Sequence, residues 1–237
     1  MSQEVKEQEA NKASALENPE VLVEKLTSFE DYLEKHTKQI AIFAGAIALV
    51  IGGFFGYRWY QSTENEEAQK QMFSAVYYFE ADSLNKALNG DGSAIGLKSI
   101  AEDYGHTKAG KLAKFYIGAI YLKQSKFQDA IDNLSGFNSD DLLITPRANC
   151  MIGDAYLELN DLDHALEYYK KAALHAPNKF FSPRYLMKAG LVQELMKNYS
   201  EAINTYTQVI EKYHESQEAP DARKMKARLE QMAPAAN

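Results

Sequence analysis

The chain has 237 residues, a formal net charge of −7, a sequence pI near 5.3 and one cysteine, Cys150. An acidic balance with lysine and arginine scattered along the chain excludes a nucleic-acid binder, whose affinity comes from clustered positive charge. A lone cysteine excludes an intramolecular disulfide and a zinc site built on several cysteines.

Residues 1–17 are polar, charged and poor in aromatics, the composition of a disordered tail. Asn18-Pro19-Glu20 is a helix start, with an Asn cap, proline in the first turn and an acid near the positive end of the dipole. The spacing predicts an amphipathic helix over 18–38, because Leu22, Leu26, Phe29, Leu33, His36 and Ile40 recur at alternating steps of four and three. That face suits the membrane surface, a partner helix or its own copy. A helix that simply continues into the next segment is the plain alternative.

Ile40 to Tyr57 reads IAIFAGAIALVIGGFFGY, without a charge. Its rise covers about 27 Å, close to the hydrocarbon thickness of a bilayer, and Tyr57, Trp59 and Tyr60 follow where amphipathic rings favour the headgroups. A buried core helix rarely stays uncharged for so long, so residues 39–60 are expected to form a single transmembrane signal anchor. The polar residues before it and the lack of a small-x-small site in YRWYQST argue against a cleaved signal peptide. Lys25, Lys35 and Lys38 precede the span and only Arg58 and Lys70 follow closely, which places the N-terminus in the cytoplasm. Ala44, Ala48, Gly52 and Gly56 repeat at steps of four; such a small-residue stripe admits a helix of a membrane partner or of a second copy in a homodimer. Glycine and alanine are also common in membrane helices that contact nothing.

Residues 61–110 are expected to form a helical pair, a degenerate first repeat. Its first helix runs to about Leu88, Gly90-Asp91-Gly92 breaks it, and a second covers about Ser93 to Tyr104. Residues 111–216 then repeat themselves. Gly118, Gly153 and Gly190 align, as do Ala130, Ala165 and Ala202 twelve residues on, and Leu134, Tyr169 and Tyr206 four further. Tyr121 and Tyr156 stand three after their glycines, with Gln193 in the third segment. A period of 35 to 37 residues is the signature of an α-solenoid of helix-turn-helix units. Residues 217–237 supply a capping helix, about 219–232, and a short tail.

These segments resemble tetratricopeptide repeats, the middle one most closely, through Gly153, Tyr156, Ala165, Tyr169, Ala172 and Pro177. The expected fold is all-α: a single transmembrane helix followed by a tetratricopeptide-repeat solenoid of three units. The resemblance implies that the first helices of successive units line a concave, partner-binding groove. It would carry Leu112, Phe115, Ala119 and Leu122, then Arg147, Cys150, Asp154 and Leu157, then Arg184, Met187, Leu191 and Leu195. Mostly apolar, it suits helices or extended segments, unless the N-terminal helices or the final helix fill it. Phe115 and Ala119 stand where chaperone-tail clamps of this family carry Lys and Asn, which argues against that use.

No nucleotide loop, HExxH, GxSxG or CxxC occurs, and the five histidines are scattered. No catalytic role, cofactor or metal is expected. Anchor plus repeats, with the stretch AEDYGHTKAGKLAKFYIGAIYLKQSKFQDA, resembles the YfgM-like ancillary subunits of the bacterial Sec translocon. That resemblance implies a single-pass inner-membrane protein with a periplasmic repeat domain. Its implied partners are translocon subunits, a membrane-anchored chaperone and newly exported clients. An assembly adaptor for an envelope or organelle-membrane complex is the rival.

Overall fold

A computed structural model describes residues 19–137, 139 and 141–232. The expected tail, the Asn18 cap and the last five residues lie outside the described residues. The described chain divides into two units, up to Tyr60 and from Gln61 onward. Helix α1 (Pro19–Glu80) passes through the amphipathic and apolar segments of the first unit without a break. The plain alternative of a continuing helix therefore holds. Residues 37–60 are exposed throughout, so among the described residues none covers the apolar run as in a core helix. That segment is long and apolar enough to cross a membrane.

Among its described residues the second unit contains the end of α1 and nine further helices: α2 (Leu84–Asn89), α3 (Leu97–Asp103), α4 (Lys108–Lys123), α5 (Phe127–Ser135), α6 (Ile144–Glu158), α7 (Leu162–Leu174), α8 (Ser182–Leu195), α9 (Tyr199–Lys212) and α10 (Ala219–Met232). Neighbours in sequence pack against one another from α3 through α10. This is the local, nearest-neighbour packing of a helical repeat protein.

One turn recurs. Ser125, Asn160 and Lys197, each seven residues after an aligned glycine, hold φ of 59°, 58° and 62°. The next residue's N–H reaches back to Tyr121, Tyr156 and Gln193 carbonyls at 2.8–2.9 Å. That six-to-one hydrogen bond closes the first helix and aims the second back along it. Asp82 (φ 54°) makes the same turn, with Ser83 N–H on the Tyr78 carbonyl at 2.8 Å. The helix expected to reach Leu88 consequently stops at Glu80, and SLNKAL becomes the short partner α2. Counting back seven from Asp82 gives Ala75, and twelve on from Ala75 gives Ala87, both buried. The break at Gly90-Asp91-Gly92 is a later bend. There the Tyr78 hydroxyl and the N–H groups of Ser93 and Ala94 hold the Asp91 carboxylate well below its usual range.

The end of α1 is fastened by side chains as well as by Ala68, Met72 and Ala75 in the core. Asn65 Oδ1 accepts from Ala109 N–H at 2.9 Å, and Gln61 donates to the His106 carbonyl at 3.0 Å. At the other end α10 packs on α9 with Ala222 and Leu229 buried, the cover that a solenoid's last face requires.

Candidate functional site

Each unit is built around its glycine. A Cβ on Gly118 would stand 2.4 Å from the Leu134 side chain, one on Gly153 2.8 Å from Tyr169, and one on Gly190 2.5 Å from Tyr206. The aligned large residue of the second helix therefore lies in the notch left by the glycine of the first. The Tyr169 ring thus seats within its own unit. Its hydroxyl donates to Asp154 of the same unit at 2.6 Å, and its ring face meets the next unit, where Lys188 of α8 lies over it at 5.4 Å.

Two carboxylates tie successive units in this way. Asp154 accepts from the Tyr169 hydroxyl and from Lys188 Nζ, each at 2.6 Å. Glu194 accepts from the Tyr206 hydroxyl at 2.7 Å and from Arg228 of α10. Gln193, standing where the other units have tyrosine, is buried and accepts from the Thr205 hydroxyl at 2.7 Å. Lys188 and Arg228 escaped sequence reasoning because each reaches a carboxylate of the preceding unit.

Burial, with the hydrogen bond to Asp154 second, holds the Tyr169 phenol above its usual range; Tyr206 follows the same pattern with Glu194. Folded phenols raised in this way favour the protonated form, so their contribution is full below the ordinary tyrosine value of 10.0 and declines as pH rises above it. In a Cys150→Ser background, which removes the buried thiol that would titrate from about pH 9 on unfolding, the expected result is a urea midpoint that is flat from pH 8 to 9.5 and falls above pH 10, less steeply in Tyr169→Phe; an equal slope in both proteins would refute it.

The structure divides the expected groove residues. Phe115 (7% exposed), Ala119 (8%) and Cys150 (6%) are buried. Phe115 lies beneath Phe137, ring centroids 5.7 Å apart, and the Arg147 guanidinium stands 6.0 Å above its ring. Leu112, Leu122, Leu157, Met187 and Asp154 are half-buried, Asp154 in the contact just described. Arg147, Arg184, Leu191 (46%) and Leu195 (52%) are exposed. Burial pushes the Cys150 thiol up to about 12, with nearby Asp154 adding to the rise. It stays protonated and is no nucleophile at neutral pH.

Arg184 pairs with Glu218 at 3.6 Å, beside a recess of about 480 Å³ to which Lys179, Phe180, Lys212 and His214 also contribute. Among the described residues no group of three His, Cys, Asp or Glu side chains could hold a metal ion. What the first-helix side can do chemically is hold a chain: an exposed leucine pair and two exposed guanidinium groups, with no activated group beside them. Ala44, Ala48, Gly52 and Gly56 share a face of α1, and nothing stands within 4 Å of a Cβ built on Gly52 or Gly56.

Models of the tetratricopeptide repeat match residues 146–178 and 184–216. They cover α6–α7 and α8–α9, so these two helix pairs are tetratricopeptide repeats, a protein–protein interaction module. A protein of Guillardia theta described as uncharacterized protein ycf37 is 30% identical over 120 residues, 49% of this chain and 66% of that protein. The match thus spans just under two thirds of the relative's length.

Proposed function

We propose that this chain is a membrane-anchored, non-enzymatic interaction protein whose first-helix face takes up segments of other proteins. The observation that carries the reading is the exposed Leu191–Leu195 pair on α8, one turn apart within a tetratricopeptide repeat. An apolar pair with Arg147 and Arg184 exposed on the same series of first helices suits an amphipathic or extended segment bearing a carboxylate. Residues 39–60 cross the inner membrane once, the N-terminal arm is cytoplasmic and the repeats are periplasmic. The small-residue face of Ala44, Ala48, Gly52 and Gly56 meets a helix of a membrane partner. In its most specific form the reading is an ancillary subunit of the Sec translocon that assists newly exported proteins beside a membrane-anchored chaperone. The shared layout of anchor and repeats supports it, together with the stretch from Ala101 to Ala130.

The burial of Phe115, Ala119 and Cys150 favours a second reading, an assembly adaptor, because it leaves a short apolar strip where a chaperone would present a long one. Unfolded model peptides separate the two. The full chain in lipid vesicles is expected to bind apolar unfolded peptides and to crosslink to them from Leu195. Absence of peptide binding, with one folded protein captured instead, selects the adaptor.

A further inference from the structure

We infer that two copies of this chain associate in parallel along α1, on a seam distinct from the small-residue face; the inference rests on residues 39–60 being a membrane span. Leu26, Phe29, Leu33, His36, Ile40, Phe43, Ile47, Val50, Phe54 and Tyr57 follow one another at steps of three and four without a slip. The mean period is 3.5, a heptad with Leu26, Leu33, Ile40, Ile47 and Phe54 at a and the others at d. On a straight helix such a stripe drifts by about 20° per heptad, so over four heptads it winds by about 80°. A flat membrane surface cannot follow that winding, whereas a second helix coiling with the first does. The helix also runs unbroken past residue 40, so nothing turns residues 26–38 down onto a bilayer.

The seam is open in the structure: Phe29 is 58% and Ile47 52% exposed. On it lies a recess of about 240 Å³ lined by Phe43, Ala46, Ile47, Val50 and Ile51. The first four occupy positions d, g, a and d. In a parallel pair that set forms the hole that receives an a-position side chain, here Ile47 of the second copy. Alanine at 46, the smallest of the four, opens it.

Charge points the same way. Lys25 and Glu30 stand at a g position and the following e position, the five-residue step that faces opposite charges across a parallel pair. The other flanking positions before the span, Tyr32, Thr37 and Gln39, carry no charge, so no like charges oppose association. Two copies inserted with one topology are parallel and in register without further adjustment. His36, the polar residue in the seam, has its Nδ1 at 2.9 Å from Gln39 Oε1 and so finds a partner in its own helix. Ala48, Gly52 and Gly56 fall at b, f and c, on the far side from the seam, while Ala44 at e borders it, so the glycine pair is left for a different partner.

Disulfide crosslinking of the full chain in bilayer vesicles tests this, with Cys150→Ser as background. Leu26→Cys, Phe29→Cys and Leu33→Cys are expected to crosslink about tenfold more than Ser28→Cys, Asp31→Cys and Lys35→Cys, which face away in a parallel coil. Gly52→Leu with Gly56→Leu is expected to leave the Leu33→Cys crosslink unchanged. Equal crosslinking at all six positions, no crosslinked dimer, or loss of the crosslink in the glycine variant would overturn the seam. Release of the wild-type chain from vesicles by alkaline carbonate would overturn the anchor itself, a failure separable from the first.

Discussion

Tyr169→Ala is expected to split the unfolding of the solenoid in two. Its ring fills the notch beside Gly153, its hydroxyl bonds Asp154, and Lys188 of the next unit packs on its face. Truncating a buried aromatic to alanine costs about 3–5 kcal/mol, a large share of what one helix pair contributes. In a solenoid each unit touches only its neighbours, so weakening the middle unit uncouples residues 182–232 from residues 108–135. Urea unfolding followed by helical circular dichroism is expected to change from one transition to two. Tyr169→Phe keeps the ring and loses one hydrogen bond, worth about 1.5 kcal/mol, and should lower the midpoint without splitting it. A single transition in the alanine variant would show that the units are joined by something other than this contact.

The second large effect is on binding. Leu191→Asp together with Leu195→Asp is expected to cut partner capture by about tenfold or more, since each places a charge where apolar area would be buried and every 1.4 kcal/mol is a factor of ten. Both side chains are about half exposed, so the repeats should unfold at the wild-type urea concentration. Phe115→Asp looks equivalent from the repeat alignment and is not. Phe115 is 7% exposed beneath Phe137, and an aspartate there removes core and buries a charge, so loss of capture would follow from loss of structure. Capture that survives the double leucine variant would move the docking face elsewhere. The edge recess near Phe180 is the next place to look.

Much of the fold was legible from spacing. Gly118, Gly153 and Gly190 are small because a large residue sixteen positions later occupies the same space, and such a demand imposes a period that needs no coordinates to see. The apolar run of α1 and the capping helix at 219–232 were legible for the same reason, since burial or membrane contact dictates residue type along one whole face. The start of the repeat unit was less so. Asp82 carries the turn that Ser125, Asn160 and Lys197 carry in the later units, and no shared residue type marks that left-handed position, so Gly90-Asp91-Gly92 drew the boundary instead.

The sequence by itself determined that helices pair, with what period, and that an uncharged stretch precedes them, because each follows from contacts near in the chain. Only the tertiary structure decided which first-helix positions remain open. Phe137 lies over Phe115, and Lys188 takes up Asp154 across a unit boundary, leaving Leu191 and Leu195 uncovered. The repeat period says which face a residue occupies; whether that face is free depends on linker side chains and on neighbouring units, which obey no period.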